Sequence, residues 1–395
     1  MALPPWRRAQ DCLGYDAPAG KSGITVLLPA GALSLREPRD FEMAIDHSRM
    51  QPVDQALSRY ARQVSFPGIG AQGQLALLEA RVTIIGVGAT GSVLANHLAR
   101  AGVGHLRLVD RDFIELNNLQ RQTLFDEDDV AAMLPKAVAA GRKLRRINSQ
   151  IEIEDLVADV TPANIESFLA GADLVLDGTD NFAVRYLIND ACVKLGLPWI
   201  YTGVLAAYGM SMTIRPGLTP CLRCIMGEIP APGSVPTCDT AGIIGPIVAL
   251  LGSISAAEAL KVLTGSGTLN PGMVHVDLWE STFDRFDLGG PRPDCPTCGQ
   301  HQFPFLNAET GARTTVLCGR DAVQVSVAGA AGVDLPALAD RLRLAQVGAV
   351  QSNPYLVRAR VDGYELTIFP DGRAVVKGTA DAALAATLYA RYVGM

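Results

Sequence analysis

From Arg81 onward, short runs of branched apolar residues alternate with stretches in which apolar positions recur every three to four residues. Unbroken apolar runs read as strands buried on both faces, and the longer period reads as amphipathic helix. Arg81–Gly86 (RVTIIG) predicts a strand, Thr90–Ala101 a helix and His105–Asp110 (HLRLVD) a second strand. Lys136–Ile147 reads as a helix, while Ile151–Leu156 and Ala172–Asp177 (ADLVLD) read as strands. Asn181–Leu195 is a further helix, and Pro198–Thr202 leads into another strand. Strands alternating with helices argue an α/β fold with a doubly wound, Rossmann-like sheet. Upstream, Gln55–Val64 and Ala71–Ala80 look helical. Residues 1–50, with Pro4, Pro5, Pro18, Pro29 and Pro38, form an irregular N-terminal extension.

After about residue 305 the texture changes. Ala322–Val327, Tyr355–Val361, Tyr364–Ile368 and Ala374–Lys377 read as strands, and Leu335–Arg343 and Ala382–Tyr392 as helices. Asp362-Gly363 and Asp371-Gly372 are hairpin turn signals. The expected organisation is an extension (1–50), a nucleotide-binding domain (51–305) and a small C-terminal α+β domain (306–395).

Composition narrows the class. The 395 residues are 49% apolar and 19% charged, enough for more than one core. The net charge of −6, without a basic run, argues against a nucleic-acid partner. Met1–Cys12 carries no apolar core segment, so it does not read as a signal peptide. Ala241–Ala257 is the least charged stretch, but Gly242, Gly245, Pro246 and Gly252 interrupt it. It falls short of the ~20 residues a membrane span needs and reads as a buried helix. A cytoplasmic protein is expected, with its eight cysteines reduced.

Gly86-Val-Gly88-Ala89-Thr-Gly91 lies between a strand and a helix. Glycines let backbone approach phosphate, and a helix N-terminus offers free N–H groups to an anion. Asp110, ending the next strand, is placed to accept from ribose hydroxyls. This pattern alone leaves ATP and NAD open, so an NAD-dependent oxidoreductase is the rival reading; a non-catalytic scaffold is the third. The segment Asn117-Asn118-Leu119-Gln120-Arg121-Gln122, then Lys136, favours ATP. Arginine and lysine neutralise charge on a departing pyrophosphate, whereas hydride transfer has no use for them here. Asp177-Gly178-Thr179-Asp180-Asn181 closes a strand and opens a helix, so its aspartates are candidates for Mg²⁺ ligation or for helix capping.

Cys221-x-x-Cys224 and Cys295-x-x-Cys298 supply four thiolates, the donor set of a closed, structural Zn²⁺ site. Cys238 follows an irregular, proline-rich segment, with a helix expected at about Gly242. A thiol near a helix N-terminus is enriched in thiolate, which suits a nucleophile; an inert small residue is the alternative. Cys12, Cys192 and Cys318 belong to no motif.

Together these segments resemble the ubiquitin-activating-like adenylyltransferases of the ThiF/MoeB/HesA type. The likeness rests on Arg59-Tyr60-Ala61-Arg62-Gln63, Gly86–Gly91, Leu108-Val109-Asp110, Asn118–Gln122, Lys136, Asp177–Asn181 and the paired cysteines, and covers roughly residues 57–300. The resemblance implies an adenylyltransferase using ATP and Mg²⁺ to activate the C-terminal Gly-Gly carboxylate of a small ubiquitin-like sulfur-carrier protein, in thiamine or molybdenum cofactor biosynthesis. It implies that Gly86, Gly88, Ala89, Gly91, Asp110, Asn118, Leu119, Gln120, Arg121, Lys136, Asp180 and Asn181 surround the nucleotide. It further implies a homodimer in which Arg62 reaches the partner's phosphates, four cysteine ligands to Zn²⁺, and a sulfur-transfer role for Cys238. Ala89 stands where the family commonly has glycine, and Leu134-Pro135 where relatives approach the lysine through glycine. Residues 306–395 are too short for the sulfur-supplying domain that some relatives carry, and no cysteine follows Cys318. Sulfur is therefore expected from a separate persulfide-bearing protein.

Overall fold

In the first strand, Ile84 and Ile85 are both fully buried yet belong to different hydrophobic clusters. Successive strand residues point to opposite faces, so an unbroken apolar run needs a cover on each side. The computed structural model describes residues 57–229, 238–308, 313–317, 321–326 and 332–394. The expected extension 1–50 lies outside them, as do Cys12 and Cys318, and residues 51–395 cluster as one compact unit.

Arg81–Ile85 (β1), His105–Asp110 (β2), Glu152–Val157 (β3), Leu174–Asp177 (β4), Trp199–Leu205 (β5), Tyr208–Ile214 (β6), Met273–Asp277 (β7) and Thr282–Phe286 (β8) form one sheet. Its order is β3-β2-β1-β4-β5-β6-β7-β8. Strands β1 to β5 run parallel, and β6, β7 and β8 continue antiparallel. Chain order reverses between β1 and β4, so loops after these strands diverge to opposite faces and leave a crevice at their C-terminal ends.

Ten helices accompany this sheet among the described residues: Ala61–Val64 (α1), Gly70–Glu79 (α2), Ala89–Ala101 (α3), Glu127–Ala131 (α4), Lys136–Ile147 (α5), Ile165–Leu169 (α6), Phe182–Leu195 (α7), Leu222–Met226 (α8), Cys238–Ala241 (α9) and Gly245–Thr264 (α10). On one face Leu94 and Leu98 of α3 pack with Ile84, Leu108 and Leu176; on the other Tyr186 and Ile188 of α7 pack with Ile85, Val109 and Trp199. Each fully buried Ile or Leu contributes about 1.5–3 kcal/mol. Helix α10 is long and apolar enough to cross a membrane by composition alone, but it packs on α3, β5 and β6 and buries Ile247, Val248 and Leu251. It begins later than the sequence suggests. Gly242, at φ 75°, ends the short α9, and Pro246 sits in the first turn of α10.

A second, antiparallel sheet is built from Arg313–Leu317 (β9), Ala322–Ser326 (β10), Val350–Ser352 (β11), Val357–Val361 (β12), Tyr364–Ile368 (β13) and Ala374–Lys377 (β14). Its order is β11-β12-β13-β14-β10-β9. Leu335–Leu344 (α11) and Ala382–Tyr392 (α12) cover it through Leu338, Leu342, Leu388 and Tyr389. At the β12–β13 turn Asp362 and Gly363 both take positive φ (49° and 87°), the conformation an Asp-Gly hairpin favours.

Candidate nucleotide site and cysteine cluster

The glycine loop lies in the crevice between β1 and β4. Gly86, at φ 84°, donates its N–H to Val109 O (2.8 Å). A Cβ on Gly91 would fall 1.9 Å from Gly86 O, and one on Gly178 2.2 Å from the same oxygen. Three backbones therefore meet where no side chain fits. Gly88 is the N-cap of α3 and has no side chain with which to cap it, so first-turn amides are offered to a ligand. Ala89 opens α3 and is not among the residues of positive φ, so replacing the family's glycine costs no strain. Gln122 is 3% exposed, its amide faces Gly88, and its Oε1 has no hydrogen-bond partner among the described residues. An orphaned acceptor beside a phosphate-type loop fits a site built for a further polar ligand.

Asp110 organises the β2 end. Its carboxylate accepts from Val87 N and Asp112 N, each at 2.7 Å, which joins the glycine loop to the segment after β2. Burial pushes this carboxyl above its ordinary value; Lys136 opposes the shift and Asp112 adds to it. Lys136 opens α5 and is buried, with Nζ 3.1 Å from Asp112 Oδ2. Its approach through Leu134-Pro135 is fixed by backbone: Ile114 N donates to Leu134 O, Lys136 N to Asp112 O, and Phe113 bridges Pro135. The Leu134-Pro135 approach thus sets the lysine on the Asp110 side of the crevice.

Asn118 ends a 3₁₀ turn, Leu116–Asn118, and is buried. Its side chain accepts from Glu115 N and donates to Asn117 Oδ1. Leu119 packs on the main core, and Arg121 donates to Asn117 O (3.0 Å). Gln120 O and Arg121 lie against Gly245 at the start of α10.

The aspartate that ends β4 and the one that follows it have different tasks. Asp177 is fully buried, paired to Arg185 (3.0 Å) and bonded by the Thr179 amide and hydroxyl. Asp180 is exposed. Neither caps the following helix: Asn181 does, accepting from Val184 N (3.2 Å). Asp177 therefore holds the loop that presents Asp180, and the Asn181 side chain is engaged in capping.

Arg111 was not singled out by sequence reasoning. It pairs with Asp159 (3.1 Å) and lies 3.8 Å from Asp112. Burial works against its charge, but Asp112, Asp159 and Asp180 outweigh this and hold the guanidinium above its ordinary value. The signal for Arg111 is tertiary and has no local pattern.

Arg62 is not brought to this crevice in its own chain. It is exposed on α1, whose Gln63 bonds Ala101 O at the C-terminal end of α3. The glycine loop lies at the other end, about 18 Å away along a helix of this length.

Across the molecule the four expected cysteines converge. Cys221 Sγ is 3.8 Å from Cys224 Sγ and 3.7 Å from Cys295 Sγ, and Cys224 Sγ is 3.3 Å from Cys298 Sγ. All four sulfurs lie within 4.8 Å of one another. Thiolates around one zinc at 2.3 Å sit ~3.8 Å apart, so the donor set and spacing fit that ion. Helix α7 braces both cysteine pairs. Asn189 accepts from Leu222 N (2.9 Å), while Asp190 accepts from Thr297 Oγ1 (3.0 Å) and Phe305 N (2.9 Å). Cys192, on the same helix, is a buried packing thiol.

Cys238 opens the four-residue helix α9, and its side chain lies outside the described set. That helix ends at Gly242 rather than beginning there. Gly242 O accepts from Ala206 N, and Ile244 N donates to Ala206 O, which ties the segment to the β5–β6 turn.

A mixed sheet with a glycine loop at the switch point of its parallel half, a buried aspartate at the end of β2 and a lysine-bearing helix define a nucleotide-binding α/β enzyme. The chain belongs to the ThiF family, whose pattern matches residues 60–297. It is 44% identical over 337 residues to the sulfur carrier protein ThiS adenylyltransferase of Bacillus subtilis (strain 168), covering 85% of this chain and 99% of that protein. It is 37% identical to the sulfur carrier protein adenylyltransferase of Thermus thermophilus, over 63% of this chain and 93% of the relative. Among solved structures, E. coli MccB with ATP is 25% identical, with TM-score 0.52, and the match covers 58% of this chain and 69% of that one.

Proposed function

We propose that this chain is an ATP-dependent adenylyltransferase that activates the C-terminal glycine carboxylate of a small ubiquitin-like sulfur carrier. The observation that carries the reading is the meeting of the glycine loop, Asp110, Lys136 and the Asp180 loop at one crevice, in a chain 44% identical to a protein named for this activity. The dehydrogenase alternative has no comparable support.

In the proposed reaction a carboxylate oxygen of the carrier attacks the α-phosphorus of ATP. The bond from that phosphorus to the bridging oxygen breaks, and pyrophosphate leaves with the electron pair. Gly86, Gly88, Ala89 and Gly91 present backbone to the phosphates, and Asp110 accepts from the ribose. Asn118, Leu119 and Gln120 shape the wall beside it. Lys136, Arg121 and the partner subunit's Arg62 neutralise charge growing on the leaving group, a mainly electrostatic and positional contribution. Asp180 would hold Mg²⁺, which shields the triphosphate when bound, and Asn181 fixes that loop by capping α7. Lys136 must exchange Asp112 for phosphate as ATP enters.

The remaining assignments follow the same reading. Cys221, Cys224, Cys295 and Cys298 hold a structural Zn²⁺. The terminal sulfur of a separate persulfide-bearing protein then attacks the acyl carbon and AMP leaves with the electron pair. Attack of a second thiol, the role proposed for Cys238, on the resulting acyl disulfide frees the carrier thiocarboxylate and leaves a protein disulfide. The active form in this reading is a homodimer: the family resemblance assigns Arg62 to the neighbouring site, and its place beside the C-terminal end of α3 leaves it outside its own crevice. The test is carrier-dependent exchange of labelled pyrophosphate into ATP. Wild-type protein should exchange and Asp180→Ala should not; exchange at the wild-type rate by Asp180→Ala removes the metal assignment.

A further inference from the structure

The second sheet packs directly on the segment that follows β2. Phe113 enters an apolar cluster with Ala322, Leu356, Phe369 and Val375, its ring 6.4 Å from that of Phe369. Asn353 Nδ2 donates to Ala132 O and Met133 O, on the approach to Lys136. Cohesion alone would be served by these contacts. The interface nevertheless buries polar and charged groups, which is costly unless they are partnered.

Those groups form a continuous chain into the crevice. Gln324, on β10 and 3% exposed, donates from Nε2 to Asp159 Oδ2 (2.7 Å). Asp159 Oδ1 pairs with Arg111 (3.1 Å), Arg111 Nε lies 3.8 Å from Asp112, and Asp112 Oδ2 lies 3.1 Å from Lys136 Nζ. A second tie runs in parallel: Arg373, also 3% exposed, donates from its guanidinium to Arg111 O (2.7 Å). That carbonyl belongs to the residue between Asp110 and Asp112, whose backbone and side chains join the glycine loop to the lysine. Lys377 adds an ion pair to Glu115, at the start of the Asn118 turn.

We propose that the C-terminal sheet is a positioning element of the ATP site. Gln324 and Arg373 hold Arg111 and Asp112, and through them the Lys136 ammonium, in the geometry that receives triphosphate. Arg111 is a positioning residue in this scheme: held by Asp159, it turns the Asp112 carboxylate toward Lys136. The proposal rests on the ATP reading above, and its test separates the two.

The test is calorimetric titration of the full-length, zinc-loaded protein with Mg-ATP. Gln324→Leu keeps the buried shape and removes the amide. It should weaken ATP binding by roughly five- to tenfold, the scale of coupling between linked sites. In an Arg111→Met background the same substitution should cost nothing further, because the link is already cut. A purely structural role would move the unfolding midpoint without this non-additivity. Arg391→Met, which removes an outward-facing pair with Asp362, should bind ATP as wild type does. If Gln324→Leu does not fold, Asp159→Asn cuts the same link and should show the same loss and the same non-additivity. Absence of ATP binding by wild-type protein overturns the functional reading and this proposal with it. ATP binding within twofold of wild type in Gln324→Leu or Asp159→Asn, or an undiminished loss in the Arg111→Met background, overturns the positioning role alone.

Discussion

Replacing Arg185 with methionine should destabilise the fold more than any change at Asp180, although Asp180 is the residue with the proposed chemistry. Arg185 is 7% exposed and Asp177 fully buried, their atoms 3.0 Å apart. The guanidinium also donates to Thr179 O (2.6 Å) and Thr202 O (3.4 Å), binding β4 to β5. It lies 5.5 Å and 5.3 Å from the ring centres of Phe182 and Tyr201. Methionine keeps the stem packing and leaves a carboxylate with only the two Thr179 donors. Removing one partner of a buried ion pair costs about 3–5 kcal/mol. Urea unfolding followed by the emission of buried Trp199 measures the loss. In the double variant Asp177→Asn/Arg185→Met no charge is buried alone, and most of the loss should return. The sign with pH is also fixed. Burial already raises the Asp177 carboxyl against the opposition of Arg185 and Thr179. Without Arg185 its folded-state pKa rises further above the unfolded value. The penalty is then present above that pKa and relieved as pH falls through it, so the gap between Arg185→Met and wild type should narrow on acidification. A loss below about 1 kcal/mol, the scale of an exposed pair, or a double variant no more stable than Arg185→Met, refutes the reasoning.

Two further outcomes are expected. Freshly purified protein should contain one zinc per chain, and Cys221→Ser should lose metal and stability together, because binding and folding are coupled; zinc-free wild-type protein would contradict this. Arg62→Ala and Asp180→Ala should each be inactive, while purified heterodimers of the two should recover up to about half of wild-type activity through one whole site. Heterodimers that stay dead while wild-type dimers prepared alike are active would place Arg62 outside the neighbouring site.

What the sequence makes legible depends on how local the cause is. The strands RVTIIG and LVLD read directly, because burial on both faces leaves an unbroken apolar run. The glycine loop and the cysteine pairs read from spacing, since backbone approach and thiolate geometry fix residue type at fixed offsets. Strand β8 does not: every residue of Thr282–Phe286 is exposed, with Phe283 at 66% and Phe286 at 47%, so burial imposes no period on it. The division of labour between Asp177 and Asp180 is also hidden. It is decided by Arg185, eight residues on, reaching back to one of them. Arg111 is invisible for the same reason at longer range, with Asp159 48 residues away and Gln324 a further 165. Sequence reading of 306–395 finds hairpins, helices and no cysteine after Cys318; its proposed contribution lies in contacts that only the fold assembles.

The central claim is tested most directly by the mass of the carrier. A small ubiquitin-like sulfur carrier ending in Gly-Gly, incubated with this protein and Mg-ATP, should gain one AMP at its C-terminal carboxylate and release one pyrophosphate. Shortened by its last glycine, the carrier should gain nothing. A carrier whose mass stays unchanged while the protein demonstrably binds ATP, or AMP found on any site other than the C-terminal carboxylate, would contradict the account.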